Sequence, residues 1–428
     1  MARELDIVVF GASGVTGRQV AAYLAERARE TPLRWAVAGR DERRVTQVLE
    51  QTGVTAPQTL TADVGEPAGL AAMAAASAVV LDLVGPYTRY GRPVIEACVA
   101  AGTHYADLTG ELPFVREMID AFHERAAEAG VKIVEVCGFE ALPADLLVAL
   151  VAERARSLWG EGLQSVDLEV QVTPPPGLPR VSDSISGGTF QSLAAVTASE
   201  DAARIADPAL LTTDESLAAP VRARSPIGLA PRRSNGAVIA PMAPAPFINP
   251  AVIHRSAALR ALAEGHDFTP FRYREGIAIP GSPVTLPARW AIGAALSGTM
   301  TGLRALSRAR PAVRHPLSRA MARLGPGSGF GPKGERLKQW RWQMTARALT
   351  DGGRSLHGLL DADGHPGYLA TARLLGEAGI LLAEADATPA GGGCLTPSAA
   401  LGTDGIERFA RAGLRFSSGE GAPAPAQA

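Results

Sequence analysis

Seven residues near the start of the chain, Gly11-Ala12-Ser13-Gly14-Val15-Thr16-Gly17, have the types and spacing that hold a dinucleotide pyrophosphate. Gly11 permits a sharp turn, Gly14 lets the backbone approach the phosphates, and Gly17 lets the next helix pack close to its sheet. Amides at the helix start, Val15 among them, carry the positive end of the helix dipole, and the Ser13 and Thr16 hydroxyls can add donors. A glycine-rich turn of no consequence can be spelled the same way, but this one follows an apolar run and opens a helical pattern. Downstream, Gly39-Arg40 stands where an NAD site usually presents Asp or Glu to the ribose. Arg40, with Arg43 and Arg44 one turn on, suits a 2′-phosphate through charged, bidentate contacts, and Gly39 leaves room for it. The cofactor expected is therefore NADP(H). The plainer reading of Arg40 is a solvated helix-start residue beside Asp41. Asp63 can reach the adenine or cap the next helix. Gly85 and Pro86 are expected to line the nicotinamide side of the crevice.

Such a motif needs strands and helices alternating around it. Residues 5–10 form a continuous apolar, β-rich run, as in a strand buried on both faces of a parallel sheet. Helical stretches at 15–28, 42–50, 67–76, 93–101 and 113–129 then alternate with strand-like stretches at 33–39, 57–63, 77–85, 103–110 and 131–138. Six strands with helical crossovers give the fold class: α/β, a doubly wound parallel Rossmann sheet. After Gly138 the alternation stops. A helix over 143–157 leads into a second region with strands at 166–173, 271–279 and 339–349 and helices at 368–385 and 404–412. Residues 174–180, 241–250 and 325–335 read as loops, and 186–189 (SGGT) as a tight turn or a set of amides facing substrate. These patterns predict a nucleotide-binding domain over 1–140, a substrate domain over 141–385, a C-terminal segment over 386–416 and a disordered tail over 417–428.

A formal net charge of -1 gives no global attraction to nucleic acid. Three scattered cysteines, Cys98, Cys137 and Cys394, fit neither a disulfide framework nor a metal cluster, so no metal is expected. No signal peptide is read at the start, and the apolar run 290–303 falls short of the ~20 residues of a membrane span. The expected location is the cytoplasm. Residues 304–341 are rich in Arg and Lys, with Glu335 the only acid. They can be a solvated face, a dock for an acidic carrier protein, or, with 290–303, a peripheral contact with an anionic membrane.

The stretches VFGASGVTGRQV (9–20), VGPYTRYGRPVIEACVAAGTHYADLTGE (84–111), GFEALPADL (138–146), SGGTFQS (186–192), FRYREG (271–276) and GGGCLTPSAALG (391–402) resemble the saccharopine dehydrogenase-like oxidoreductases. The resemblance is closest to the actinobacterial branch of trans-acting enoyl reductases and covers nearly the whole chain. It implies a second α+β domain built on a mixed sheet, with C-terminal segments packing back on the first domain. It further implies reduction of a double bond in a carrier-bound lipid or polyketide thioester, beside an acyl carrier or polyketide synthase partner.

Enoyl reduction needs hydride at the β-carbon, a proton at the α-carbon and a donor for the enolate oxygen. Tyr87, Tyr90, His104, Tyr105, Asp107 and Glu111 follow the fourth and fifth strands, where ligands bind in such folds. Tyr87 is the first candidate for the catalytic hydroxyl and Tyr105 the second, against the reading that each is a packed aromatic bonded to a carbonyl. Glu140 and Asp145 can be caps or catalysts. Two other functions stay open: reduction or dehydrogenation of a C=N or C=O bond in a small metabolite, and a non-catalytic NADP(H)-binding, lipid-associated protein.

Overall fold

The structure is a computed structural model that describes residues 3–177, 187–324 and 334–421. In the first third, strands β1 (Leu5–Phe10), β2 (Trp35–Gly39), β3 (Thr59–Thr61), β4 (Ser77–Asp82), β5 (His104–Asp107) and β6 (Lys132–Val134) alternate with helices. The helices are α1 (Val15–Arg27), α2 (Glu42–Glu50), α3 (Pro67–Ala76), α4 (Tyr87–Ala101) and α5 (Leu112–Glu128). The strands pair in parallel in the order β6-β5-β4-β1-β2-β3, so the winding reverses between β1 and β4. Ile7, Val8 and Val9 are all buried because α1 and α2 cover one face and α3, α4 and α5 the other.

The remainder contributes α6 (Leu142–Trp159), β7 (Leu163–Thr173), α7 (Gly187–Ala198), α8 (Glu215–Arg224), β8 (Arg232–Ser234), β9 (Ala237–Ala240) and α9 (Asn249–Ala263). It continues through β10 (Arg272–Ile279), α10 (Leu286–Ser307), α11 (Pro311–Leu324), β11 (Arg341–Thr350), β12 (Ser355–Asp363), α12 (Thr371–Ala383), β13 (Gly393–Leu395), α13 (Pro397–Leu401) and β14 (Leu414–Glu420). A second seven-stranded sheet runs β14-β12-β11-β7-β10-β9-β8. It is mixed: β7 and β10 are parallel and the other pairs antiparallel. Helix α6 bridges the two sheets, packing so tightly on β12 that a Cβ on Gly358 would lie 2.8 Å from Val151 Cγ1.

The chain divides differently from the boundaries read in its sequence. Helix α12, expected in the second domain, lies on the first sheet beside α1: a Cβ on Gly379 would come within 2.9 Å of Leu81 Cδ2. In a doubly wound sheet the helices after β4 and β5 sit on the face opposite α1, which leaves the α1 side of those strands bare. Helix α12 covers it, and is buried nearly all round for that reason. Its Glu377 accepts from Tyr23 (2.5 Å) and Arg27 (2.7 Å) of α1. Strand β13 extends the first sheet beyond β6, in parallel. The tail expected to be disordered from 417 is ordered to Glu420, because β14 pairs with β12 through Ser417 and Ser418. Residues 187–189 of the SGGT stretch open α7 rather than a tight turn, and Ser186 lies outside the described residues. Most of the 325–335 loop, residues 325–333, also lies outside them.

Candidate active site

The turn after β1 has the geometry that a phosphate-binding reading requires. Gly11 has φ +88°, a conformation that favours glycine, and its amide donates to Ala38 of β2. A Cβ on Gly11 would sit 2.9 Å from Val84 Cγ2, so the loops after β1 and β4 touch across the switch point. Gly17 packs against the turn itself, where a Cβ would lie 2.8 Å from Ala12 Cα. Gly14 is the N-cap of α1 and makes no side-chain capping bond, which leaves the first-turn amides of Val15, Thr16 and Gly17 without intrahelical acceptors. Uncapped amides at the positive end of a 13-residue helix are an anion site in waiting.

The next strand ends supply cations. Arg40, Arg43 and Arg44 are all exposed. Asp41 does not neutralise Arg40, because its carboxylate caps α2 by accepting from the Arg44 amide at 3.0 Å. Asp63 is the nearest acid, 3.9 Å from Arg40 Nε, and it also closes its own turn by accepting from Gly65. Gly39 is required by packing as well as by any phosphate, since a Cβ there would meet Val45 Cγ2 at 2.8 Å.

At the other end of the crevice the two candidate tyrosines are turned away from it. Tyr105 is fully buried, and its hydroxyl donates to Asp107 (2.9 Å) with Asp82 at 3.2 Å. Tyr87 is 6% exposed; its hydroxyl donates to the Asp82 carbonyl and accepts from the Leu108 amide. Both belong to the apolar cluster under α4 and α5. In this structure both are packed aromatics with satisfied hydroxyls. Tyr87 opens α4 and Tyr105 lies within β5, and both side chains point into the apolar layer under α4 and α5.

The acids nearby are mostly architectural. Glu111 fastens the start of α4, accepting from the amides of Tyr87 (3.1 Å) and Thr88 (2.9 Å) and from the Thr88 hydroxyl. It also accepts from Ser192 of α7 at 2.7 Å, which ties the second half of the chain to the loop after β5. Asp107 accepts from the amides of Thr109 and Val136 and so holds Val136 at φ +63°. Burial pushes its carboxyl up to about 7. Asp145 satisfies a first-turn amide of α13, accepting from Ser398 N (2.7 Å), and joins α6 to α9 by accepting from Ser256 (2.8 Å); burial raises it to about 6. His104 accepts from the Lys132 amide and is driven by burial down to about 4, so it stays neutral.

One group that the sequence reading did not select stands out: Glu275. It lies on the inner face of β10, paired with Leu168 of β7, and is 8% exposed. Its Oε2 accepts from Asn249 Nδ2 (2.7 Å) and from the Tyr273 hydroxyl (2.9 Å). Its Oε1 has no partner among the described residues, and neither has Asn249 Oδ1. Burial pushes the carboxyl up to about 7, so it can hold a proton at neutral pH. The preceding residue of α9's entry, Ile248, comes within 3.1 Å of where a Gly110 Cβ would be, which sets this cluster beside the loop after β5. Phe139, after β6, meets Trp342 of β11 edge-on at 4.9 Å. The available signal was FRYREG (271–276), whose alternation puts Tyr273 and Glu275 on one face.

An open cleft lies elsewhere, between α6 and α9, and includes Asp145, Arg156, Arg260, His266 and Phe271. None of its walls comes from the nucleotide loops. The strand ends, not this cleft, carry the cradle and the cations.

A doubly wound sheet with an uncapped Gly-rich turn, arginines after β2 and a second domain over the strand ends defines a dinucleotide-dependent oxidoreductase. Residues 7–134 match the saccharopine dehydrogenase NADP-binding domain. The chain is 36% identical to a putative trans-acting enoyl reductase of Mycobacterium tuberculosis, over 96% of this chain and 97% of that one. It is 34% identical to the trans-acting enoyl reductase of Mycobacterium ulcerans, over 97% and 98% of the two chains. The protein thus belongs to the trans-acting enoyl reductase family and is an NADP-dependent oxidoreductase of the saccharopine dehydrogenase-like type. Apo saccharopine dehydrogenase of Saccharomyces cerevisiae shares the fold, with a TM-score of 0.52 at 13% identity over 98% of this chain and all of that one. Among the described residues no helix is long and apolar enough to cross a membrane.

Proposed function

We propose that the protein reduces the C=C bond of a 2-enoyl thioester presented on an acyl or polyketide carrier, with NADPH as the reductant. The bound cofactor would supply hydride to the β-carbon of the substrate. The residues assigned to hold it are Gly11, Ser13, Gly14, Val15, Thr16 and Gly17 at the pyrophosphate, Gly39 and Arg40 at the 2′-phosphate, Asp63 toward the adenine, and Gly85 and Pro86 on the nicotinamide side. The chain's own contribution to the chemistry is a proton. Glu275, kept neutral by burial and oriented by Asn249 and Tyr273, is assigned as the store from which the α-carbon is protonated.

The observation that carries this reading is the buried carboxyl of Glu275, held near neutral pH and bonded to Asn249, whose neighbour Ile248 packs by the loop after β5. An amino-acid adduct would need cations to hold its carboxylates. The buried arginines are committed elsewhere: Arg27 to Glu377, and the others to backbone carbonyls, Arg255 to Leu211 and Cys394, Arg289 to Gly236 and Ser282, Arg314 to Ala309 and Thr197. This disfavours a saccharopine-like substrate. The names of the full-length relatives, trans-acting enoyl reductases, support reduction of a C=C bond.

The cofactor assignment is tested by titrating wild type and Arg40→Ala with NADPH and NADH. Loss of a charged contact to the 2′-phosphate should weaken NADPH by roughly 1–3 kcal/mol, about five- to 150-fold, and leave NADH unchanged. Equal weakening of both nucleotides would remove Arg40 from the site.

A further inference from the structure

Large apolar side chains are unusually exposed in one part of the molecule. Val284, Trp290, Ile292 and Leu296 lie on or just before α10, and Val313, Leu317 and Leu324 on α11. Val284 is 89% and Leu324 87% exposed, and only Leu158 and Leu262 among the described residues join them as exposed large hydrophobics elsewhere. Isolated exposed leucines are ordinary; a cluster of them on two consecutive helices marks a contact surface.

The charge on the same helices is one-sided. Between Glu275 and Glu335 the sequence contains no Asp or Glu. The one charged residue of 284–303, Arg289, is turned inward onto the carbonyls of Gly236 and Ser282, so the outer side of α10 over that stretch carries no charge. Arg314 and Ser318 are likewise turned inward, onto Thr197 and Ala194 of α7, which fixes the opposite side of α11 as the free one. Around this apolar area Arg308, Arg310, Arg319 and Arg323 are exposed and form no ion pair among the described residues.

We propose that the outer faces of α10 and α11 rest on an anionic lipid surface. A second copy of the chain would bring the same unpaired arginines face to face with no acid between them. An acidic protein would satisfy the arginines but leave Val284 and Ile292 bare. A lipid interface does both: acyl chains take the apolar side chains, headgroup phosphates take the guanidiniums, and Trp290 suits the boundary. At 1.5 Å per residue the 22-residue α10 is about 33 Å long, the scale of an interfacial helix lying in the membrane plane. The inference is independent of which bond the active site reduces.

Co-sedimentation of the full chain with vesicles tests it. The protein should bind phosphatidylcholine vesicles doped with phosphatidylglycerol, bind pure phosphatidylcholine much less, and release as salt rises. Ile292→Glu alone, and Arg319→Glu with Arg323→Glu, should each weaken binding by about tenfold or more. These residues are exposed and remote from the nucleotide loops, so unchanged NADPH binding verifies that each variant is folded. The proposal is overturned by absence of vesicle binding, by equal binding to both vesicle types, by indifference to both variants, or by a solution dimer that Ile292→Glu dissolves in the absence of any lipid affinity.

Discussion

Gly17→Ala is expected to lose NADPH binding by at least about a hundredfold and to unfold several degrees below wild type, because inserting a methyl into a packed turn costs roughly 1–3 kcal/mol or more. The added Cβ would lie 2.8 Å from Ala12 Cα and closer still to the Gly11 carbonyl oxygen, both of them backbone atoms that cannot rotate aside. The first turn of α1 must then move off β1, and the uncapped amides move with it. Gly14→Ala provides the contrast. Its Cβ would meet only the Gly11 carbonyl, at 3.3 Å, so the fold tolerates it. The methyl would nevertheless stand where the pyrophosphate has to approach. Thermal melts and NADPH titrations should therefore show both properties damaged in Gly17→Ala and binding alone damaged in Gly14→Ala. Wild-type behaviour of Gly17→Ala would mean that the turn is not the cradle described.

Glu275→Gln should reduce kcat by about 10²–10⁴ while leaving the affinity for NADPH intact, the usual scale for removing a positioned proton donor. The pH dependence separates a chemical role from a structural one. Glu275 is raised from 4.5 to about 7 by burial, so the folded state keeps a proton that the unfolded chain has lost. Its contribution to stability is complete below about 4.5 and disappears as pH rises through about 7. Over that window the wild type should lose up to about 3 kcal/mol relative to Glu275→Gln. A proton donor adds a second signature: wild-type kcat falls as pH rises through the same range, and the residual rate of Glu275→Gln does not. If the variant changes the stability profile but not the rate profile, Glu275 only packs.

Most of the first sheet was legible in the sequence: β1, β2 and β4 are apolar runs, and each strand from β1 to β6 is followed by a helical stretch. Helix α2 falls on the expected residues, and β1 and α3 likewise. What periodicity cannot say is where a buried helix goes. The pattern of 368–385 revealed a helix, but its burial between α1 and β4 depends on a bare strip of sheet created some 300 residues earlier, a long-range fact without local trace. Strand β13 is three residues long and exists only because β6 offers an edge. The same distinction governs the site. The phosphate cradle is local, so its glycines were readable. The fate of a polar side chain depends on which layer its strand face meets. Tyr87 and Tyr105 had the right position along the chain and the wrong face. Tyr273 and Glu275 had a readable alternation, but the inward side of β10 is set by Val166 and Leu168 of β7, more than a hundred residues away.

The most direct test of the central claim is to follow hydrogen rather than absorbance. The protein is supplied with NADPH deuterated at the transferable C4 position and with a 2-enoyl thioester on a carrier protein, and the product is examined by mass spectrometry and NMR. The account predicts NADPH oxidation with one deuterium at the β-carbon and a solvent proton at the α-carbon. Deuterium on a carbinol or amine carbon of another substrate, or NADPH bound tightly with no turnover of any enoyl thioester, would contradict it.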